Sequence, residues 1–215
     1  MYAPARPEPL HQRVTFAAGQ AGIWWQVADN PAAPGDGRRL LRHAVATLTG
    51  RRPEDIALVR DESGRPAMPP GPGLPQVSLS TAHCGSLTVA AVTEGFRVGI
   101  DTEALKTPPS PALLLHALHA RERAALQAEP EHTRLAAFHT IWTAKEAVAK
   151  AIGWPLLRAL VDVEVELRPH LTLTRLAKDT HPHGWELCPL ALPGVTETVT
   201  LAALSGGSAL RPAAR

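Results

Sequence analysis

Hydrophobic positions repeat at helical spacing in two long stretches of the chain and alternate in several short ones. Phe138, Ile141, Val148 and Ile152 form one apolar stripe, and Gly153 followed by Pro155 supplies a stop signal, so a helix is expected to end there. Trp142, Glu146 and Lys150 are each four apart and stack along a neighbouring face of that helix. Leu40, Leu41, Ala44, Val45 and Leu48 give a second buried stripe, predicting a helix over 38–48 that opens after Asp36-Gly37 and ends near Gly50. Arg38, Arg39 and Arg42 fall off that stripe, on what reads as a solvated face. Residues 113–127 read as one helix or two short ones.

The strand signals lie between and after these helices. A short strand is expected at the tryptophan pair, over 23–27, preceded by a ragged start and followed by a loop through Asn30-Pro31 and Pro34-Gly35. Further strands are expected at 56–59, 77–81, 87–92 and 97–102. Thr93-Glu94-Gly95 turns the last two into a hairpin. Residues 68–75, rich in proline and glycine, read as a loop. From Val161 the chain alternates at period two over 161–167, 171–174 and 195–201, which predicts an antiparallel meander with one wet face. The tail after Ser205 reads as disordered.

Composition changes this picture little. A chain of 215 residues with 45% hydrophobic and 20% charged residues can build one large domain or two small ones. A net charge of +2, with no run of Lys or Arg, argues against a nucleic-acid partner. No segment approaches 18 uninterrupted apolar residues, which argues against a membrane span, and no apolar leader is visible. Two cysteines, Cys84 and Cys188, are too few for a disulfide framework and suit a reducing compartment, so a cytoplasmic location is expected.

The candidate chemistry is acidic. Asp101 and Glu103 stand two apart at a strand end, so their side chains share one side. Neighbouring carboxylates repel unless a cation lies between them. With Glu146 supplied from the long helix they form a candidate cradle for a hard divalent ion such as Mg²⁺. Lys150, one turn further, could then neutralise an oxygen of a phosphate held by the same ion. A Mg²⁺-dependent pyrophosphohydrolase acting on a nucleotide is a rival reading of such a set; a protein that binds coenzyme A or an acyl thioester without chemistry is another, against which three acids and a lysine argue.

Val98-Gly99-Ile100-Asp101-Thr102-Glu103 and Trp142-Thr143-Ala144-Lys145-Glu146-Ala147-Val148-Ala149-Lys150-Ala151-Ile152-Gly153 resemble the two signature motifs of 4′-phosphopantetheinyl transferases. Arg121-Glu122-Arg123-Ala124-Ala125-Leu126 between them resembles the family's E-R-x-x-L helix. Gly64-Arg65-Pro66 and His83-Cys84-Gly85 resemble two upstream landmarks. Ala82 stands where serine is usual, and Thr102 where Ile or Val is common.

The resemblance implies an α+β fold of the long, pseudodimeric type: two similar subdomains, each a small antiparallel sheet packed with helices. The halves would be 1–100, on the coenzyme A side, and 101–204, with the metal and catalytic helix, in a monomer. It implies transfer of phosphopantetheine from coenzyme A to a serine of an acyl or peptidyl carrier protein, with release of 3′,5′-ADP. Asp101, Glu103 and Glu146 would hold Mg²⁺, or Mn²⁺ in its place. Glu146, directly or through a metal-bound water, would accept the serine proton. Lys150 would steady the leaving phosphate, and Arg65 and His83 would grip the 3′-phosphate or neighbouring oxygens. Arg38 and Arg42 are further candidates for the substrate, and the 113–126 region, with Arg121, for docking the carrier.

Overall fold

The computed structural model describes residues 8–29, 36–104, 108–177 and 183–204. The loop read through Asn30, Pro34 and Gly35 and the tail from 205 onward lie outside the described residues. The architecture is α+β. Strands β1 (Leu10–Phe16) and β2 (Gly19–Val27) form a hairpin, and helix α1 (Gly37–Thr49) follows. A 3₁₀ turn at Pro53–Asp55 leads to the short strands β3 (Val59–Arg60) and β4 (Pro66–Ala67). Next come β5 (Val77–Cys84), β6 (Leu87–Glu94) and β7 (Arg97–Glu103), then α2 (Pro111–Ala117), α3 (Ala120–Ala128), α4 (Glu131–Ile152) and α5 (Leu156–Asp162). The described chain closes with β8 (Glu164–Glu166), β9 (Thr172–Arg175), β10 (Trp185–Leu190) and β11 (Thr198–Leu204).

Two antiparallel sheets carry the fold, in the orders β1-β2-β6-β5 and β10-β11-β7. Alternation sorts their side chains. Trp24, Leu79, Ala90 and Val92 of the four-stranded sheet face α1, against Leu40, Leu41, Ala44 and Val45. Ile23, Trp25, Val89 and Ala91 face the other way and meet Val98, Ile100, Val199 and Leu201 of the three-stranded sheet. The far face of that second sheet receives α4. The layers are therefore helix, sheet, sheet, helix.

Several expectations are corrected. The ragged start is strand β1, an edge strand whose single buried aromatic, Phe16, left little alternation to read. The predicted β6–β7 hairpin does not form. β6 pairs with β2 and β5, whereas β7 crosses to the second sheet and pairs with β11. The β7 edge that faces β5 is satisfied by side chains instead: the Val98 and Ile100 N–H groups donate to the buried Ser78 and Ser80 hydroxyls at 3.1 and 3.0 Å. β7 also spans the boundary after residue 100 drawn between the two halves.

The expected 161–167 strand begins as helix α5, because Pro155 presets the N-cap backbone and Leu156, Ala159 and Leu160 pack on the core at helical spacing. The single meander is two pieces, a β8–β9 ribbon and the β10–β11 pair. β10 escaped notice because Pro189 interrupts its pattern, which an edge strand tolerates. The region after the 3₁₀ turn forms only the two-residue strand β3, although Ile56 and Leu58 are buried under α1.

Helix α4 runs 22 residues, seven more than its C-terminal stripe implied, and ends on Gly153 at φ 89°. Its approach to β7 is set by Gly99. A Cβ at that position would lie 1.9 Å from the Ala147 carbonyl oxygen and 2.6 Å from the Ala151 nitrogen, so helix backbone rests directly on strand backbone. Thr143 and Thr200 close the same seam through a 2.7 Å hydroxyl contact.

The other side of α4 is fixed by a buried ion pair. Lys145 Nζ lies 2.7 Å from Glu122 Oε2, with both side chains fully inaccessible, and donates to the Ala117 carbonyl at 2.9 Å. Glu122 also accepts the N–H groups of His119 and Val165. The pair thus ties α2, α3 and β8 to α4, and burial holds the Lys145 ammonium below its ordinary pKa.

Gly99→Ala should destabilise the protein by about 2 kcal/mol or more, measured by urea unfolding, because neither colliding group is a movable side-chain end. Lys145→Met should cost about 3–5 kcal/mol by stranding a buried carboxylate. Adding Glu122→Leu to it should recover part of the loss.

Candidate metal and phosphate site

β7 and α4 bring the predicted acids together. Asp101 and Glu103 point from β7 toward α4, and Glu146 points back from the helix. One oxygen of each carboxylate lies within 4.8 Å of the others. The alternation of β7 turns Thr102 to the opposite side, into the buried interior. Lys150, one turn beyond Glu146, donates to Asp101 Oδ1 at 2.6 Å. Asp101 is 4% exposed, and its second oxygen, Oδ2, is buried without a hydrogen-bond donor. The Trp142 side chain lies near both Glu103 and Glu146 and favours their charged forms, and Phe138 braces the indole from one turn earlier.

Crowded like charges in a dry place favour protons. Burial raises Asp101 to about 6, against the opposing pull of Lys150. Burial, then the Asp101 charge, raises Glu146 to about 7. Glu103 is raised by burial and by the charge of Glu146.

The donor set fits a hard divalent cation. It is all oxygen, it holds three potential negative charges against one ammonium, and it leaves a buried acceptor unpaired. Asp101, Glu103 and Glu146 are the residues that would hold such an ion.

The remaining expected residues are spread along β5. Arg65 donates to the Ala151 carbonyl at 2.8 Å and to Ser78 Oγ at 3.3 Å, and burial lowers its pKa. It therefore clamps the last turn of α4, beside Lys150. His83 is exposed at the other end of β5, five residues or about 16 Å of strand from Ser78. The next residue, Cys84, accepts the Ala104 N–H through its sulfur at 3.2 Å, which places this end beside Glu103. Arg65 and His83 thus flank the acids instead of meeting at one point. Ala82, the departure from serine, is buried in the core between the sheets. Arg38 and Arg42 are not merely solvated: they donate to the Leu58 and Ile56 carbonyls at 2.7 and 3.2 Å, holding the segment after the 3₁₀ turn.

Three contributors were missed. Lys145 sits inside the signature motif yet serves the buried pair with Glu122, and its apolar neighbours were the only hint. Gly99 could have been suspected from an interior strand position, where glycine marks a close approach. The Ser78–Ser80 alternation had no such signal.

The raised carboxyls have a consequence for stability without a divalent ion. Folded Asp101 and Glu146 bind protons more tightly than their unfolded forms, whose values lie near 4. Folding is therefore favoured at low pH by these groups, and that contribution is lost as pH rises from about 4 to about 7. In chelator, the Tm should fall across this window, and Glu146→Gln should flatten its upper part.

Residues 97–203, which include both acidic elements, match the 4′-phosphopantetheinyl transferase superfamily. The chain is 31% identical over 145 residues to the 4′-phosphopantetheinyl transferase AcpT of Salmonella typhi, covering 67% of this chain and 70% of that one. The AcpT of Salmonella typhimurium matches equally. The 4′-phosphopantetheinyl transferase HetI of Nostoc is 27% identical over 155 residues, covering 72% of this chain and 63% of that one. By its site and by these likenesses, the chain belongs to the 4′-phosphopantetheinyl transferase superfamily and is an enzyme of that class.

Proposed function

We propose that the protein transfers 4′-phosphopantetheine from coenzyme A to a serine of an acyl or peptidyl carrier protein in a Mg²⁺-dependent reaction. The observation that carries this reading is the convergence of Asp101, Glu103 and Glu146 from two elements, with Lys150 alongside. A bound Mg²⁺ would supply charge neutralisation at the pyrophosphate. The serine Oγ forms a bond to the phosphorus that bears pantetheine, and the phosphoanhydride bond breaks, releasing 3′,5′-ADP. Glu146, directly or through one water, accepts the serine proton. Lys150 steadies the leaving phosphate with a flexible ammonium. Trp142, beside both Glu103 and Glu146, favours their ionised forms.

We assign His83, exposed beside the Glu103 end, to substrate oxygens on that side of the acids, and Arg65 to the Lys150 side. The four-stranded sheet with α1 and the three-stranded sheet with α4, joined by β7 across residue 100, support reading 1–100 and 101–204 as paired subdomains, and we assign them to a monomer. The surface of α2 and α3, anchored to α4 beside Glu146 through Lys145, is the assigned docking face for the carrier. Arg121 is exposed there and suits an acidic partner.

Incubation of an apo carrier with coenzyme A and Mg²⁺ should raise its intact mass by one phosphopantetheine. Chelation of the metal should stop the reaction. Glu146→Gln and Asp101→Asn should each reduce turnover at least about a hundredfold while circular dichroism stays that of the parent. A doubly substituted enzyme with full activity would overturn the assignment. Arg121→Glu should raise KM for the carrier and leave KM for coenzyme A unchanged.

A further inference from the structure

Lys150 occupies an unusual position for a phosphate-binding lysine. Its ammonium is 2.6 Å from Asp101 Oδ1, inside the group of acids assigned to the metal. It is also the only ammonium or guanidinium that ion-pairs with any of those three acids among the described residues. Asp101 is almost wholly buried, so an uncompensated charge there would be costly. The Lys150 side chain, by contrast, is 32% exposed and ends a flexible four-carbon stem. Its ammonium can therefore turn from Asp101 toward solvent.

From this geometry we infer that Lys150 is a stand-in cation. It neutralises Asp101 while the acids hold no metal, and it is displaced when a divalent ion enters. The inference rests on the metal reading above and adds a coupling to it. An ammonium and a dication drawn to the same carboxylate repel each other, so each weakens the hold of the other on Asp101. The displaced ammonium is one turn from Glu146 and free to meet a phosphate. Metal entry therefore prepares the lysine for substrate, and metal and coenzyme A bind with positive cooperativity. Lys150 is in this respect a positioning residue for the site as well as a phosphate contact.

The test separates this role from simple orientation of Asp101. Mg²⁺ is titrated by calorimetry into the parent protein, Lys150→Gln and Glu146→Gln, without coenzyme A. Removal of a competing cation should tighten Mg²⁺ binding to Lys150→Gln by roughly tenfold, while coenzyme A binding at saturating Mg²⁺ weakens. Unchanged or weaker Mg²⁺ binding by Lys150→Gln would overturn the inference and leave the metal reading intact. Mg²⁺ binding absent from the parent and from Lys150→Gln would overturn both.

A second measurement needs no variant and so no refolding of one. Brief acetylation of the parent protein, with labelling at Lys150 read by peptide mass, should increase when Mg²⁺ is added and decrease again when coenzyme A follows. Labelling that Mg²⁺ leaves unchanged or lowers would overturn the inference.

Discussion

The contact between the α4 backbone and Gly99 is the constraint on which the site depends. Without a side chain on that residue, a helix rests against a strand at closer range than any other amino acid permits. Asp101 and Glu103 follow on the same face of β7, two and four residues on. Glu146 and Lys150 each immediately precede one of the two helical residues that touch Gly99, Ala147 and Ala151. The reach of ordinary carboxylate side chains then suffices to bring three acids together. Side-chain chemistry supplies the ligands, but the missing methyl supplies their distance.

Two lysines five residues apart on α4 show how local surroundings divide labour within one motif. Lys145 is fully enclosed, bonded to Glu122 and a carbonyl, and immobile. Lys150 is partly open and bonded to a carboxylate that has another use. Both face an acid at under 3 Å, and both look alike in the letters. Burial makes the first a rivet between helices and leaves the second able to move. The acids divide similarly: Asp101 is deeply buried and held by Lys150 on one oxygen, while Glu103 and Glu146 are half-buried.

Much of this was legible in the sequence. Helix α4 and its glycine stop, helix α1, the acids at the end of β7 and their partnership with Glu146 could be read from period, caps and spacing. What could not be read shares one physical cause, dependence on partners distant in the chain. The pairing of β7 with β11 instead of β6 is invisible in a turn sequence that suits a hairpin equally well. β10 hides behind Pro189 because edge position, not composition, decides whether proline is tolerated. Arg65 and His83 were drawn together by chemistry but are held apart by the length of β5. The first two residues of the expected 161–167 strand became helix because Pro155 and the burial of Ala159 and Leu160 outweighed short-range alternation.

The partnership of β7 with β11 also sets an order on synthesis. Residues 97–103 leave the ribosome long before residues 198–204, and until the later strand arrives β7 lacks its backbone partner in the three-stranded sheet. The four-stranded sheet draws all its backbone partners from residues up to 94, so its strands can pair early. The acidic strand must wait for almost the last described segment to be translated. A chain cut short anywhere between α4 and β11 would carry every acidic ligand in its letters and still lack the strand that aligns β7, so the arrival of β11 is itself a checkpoint for acquiring the site.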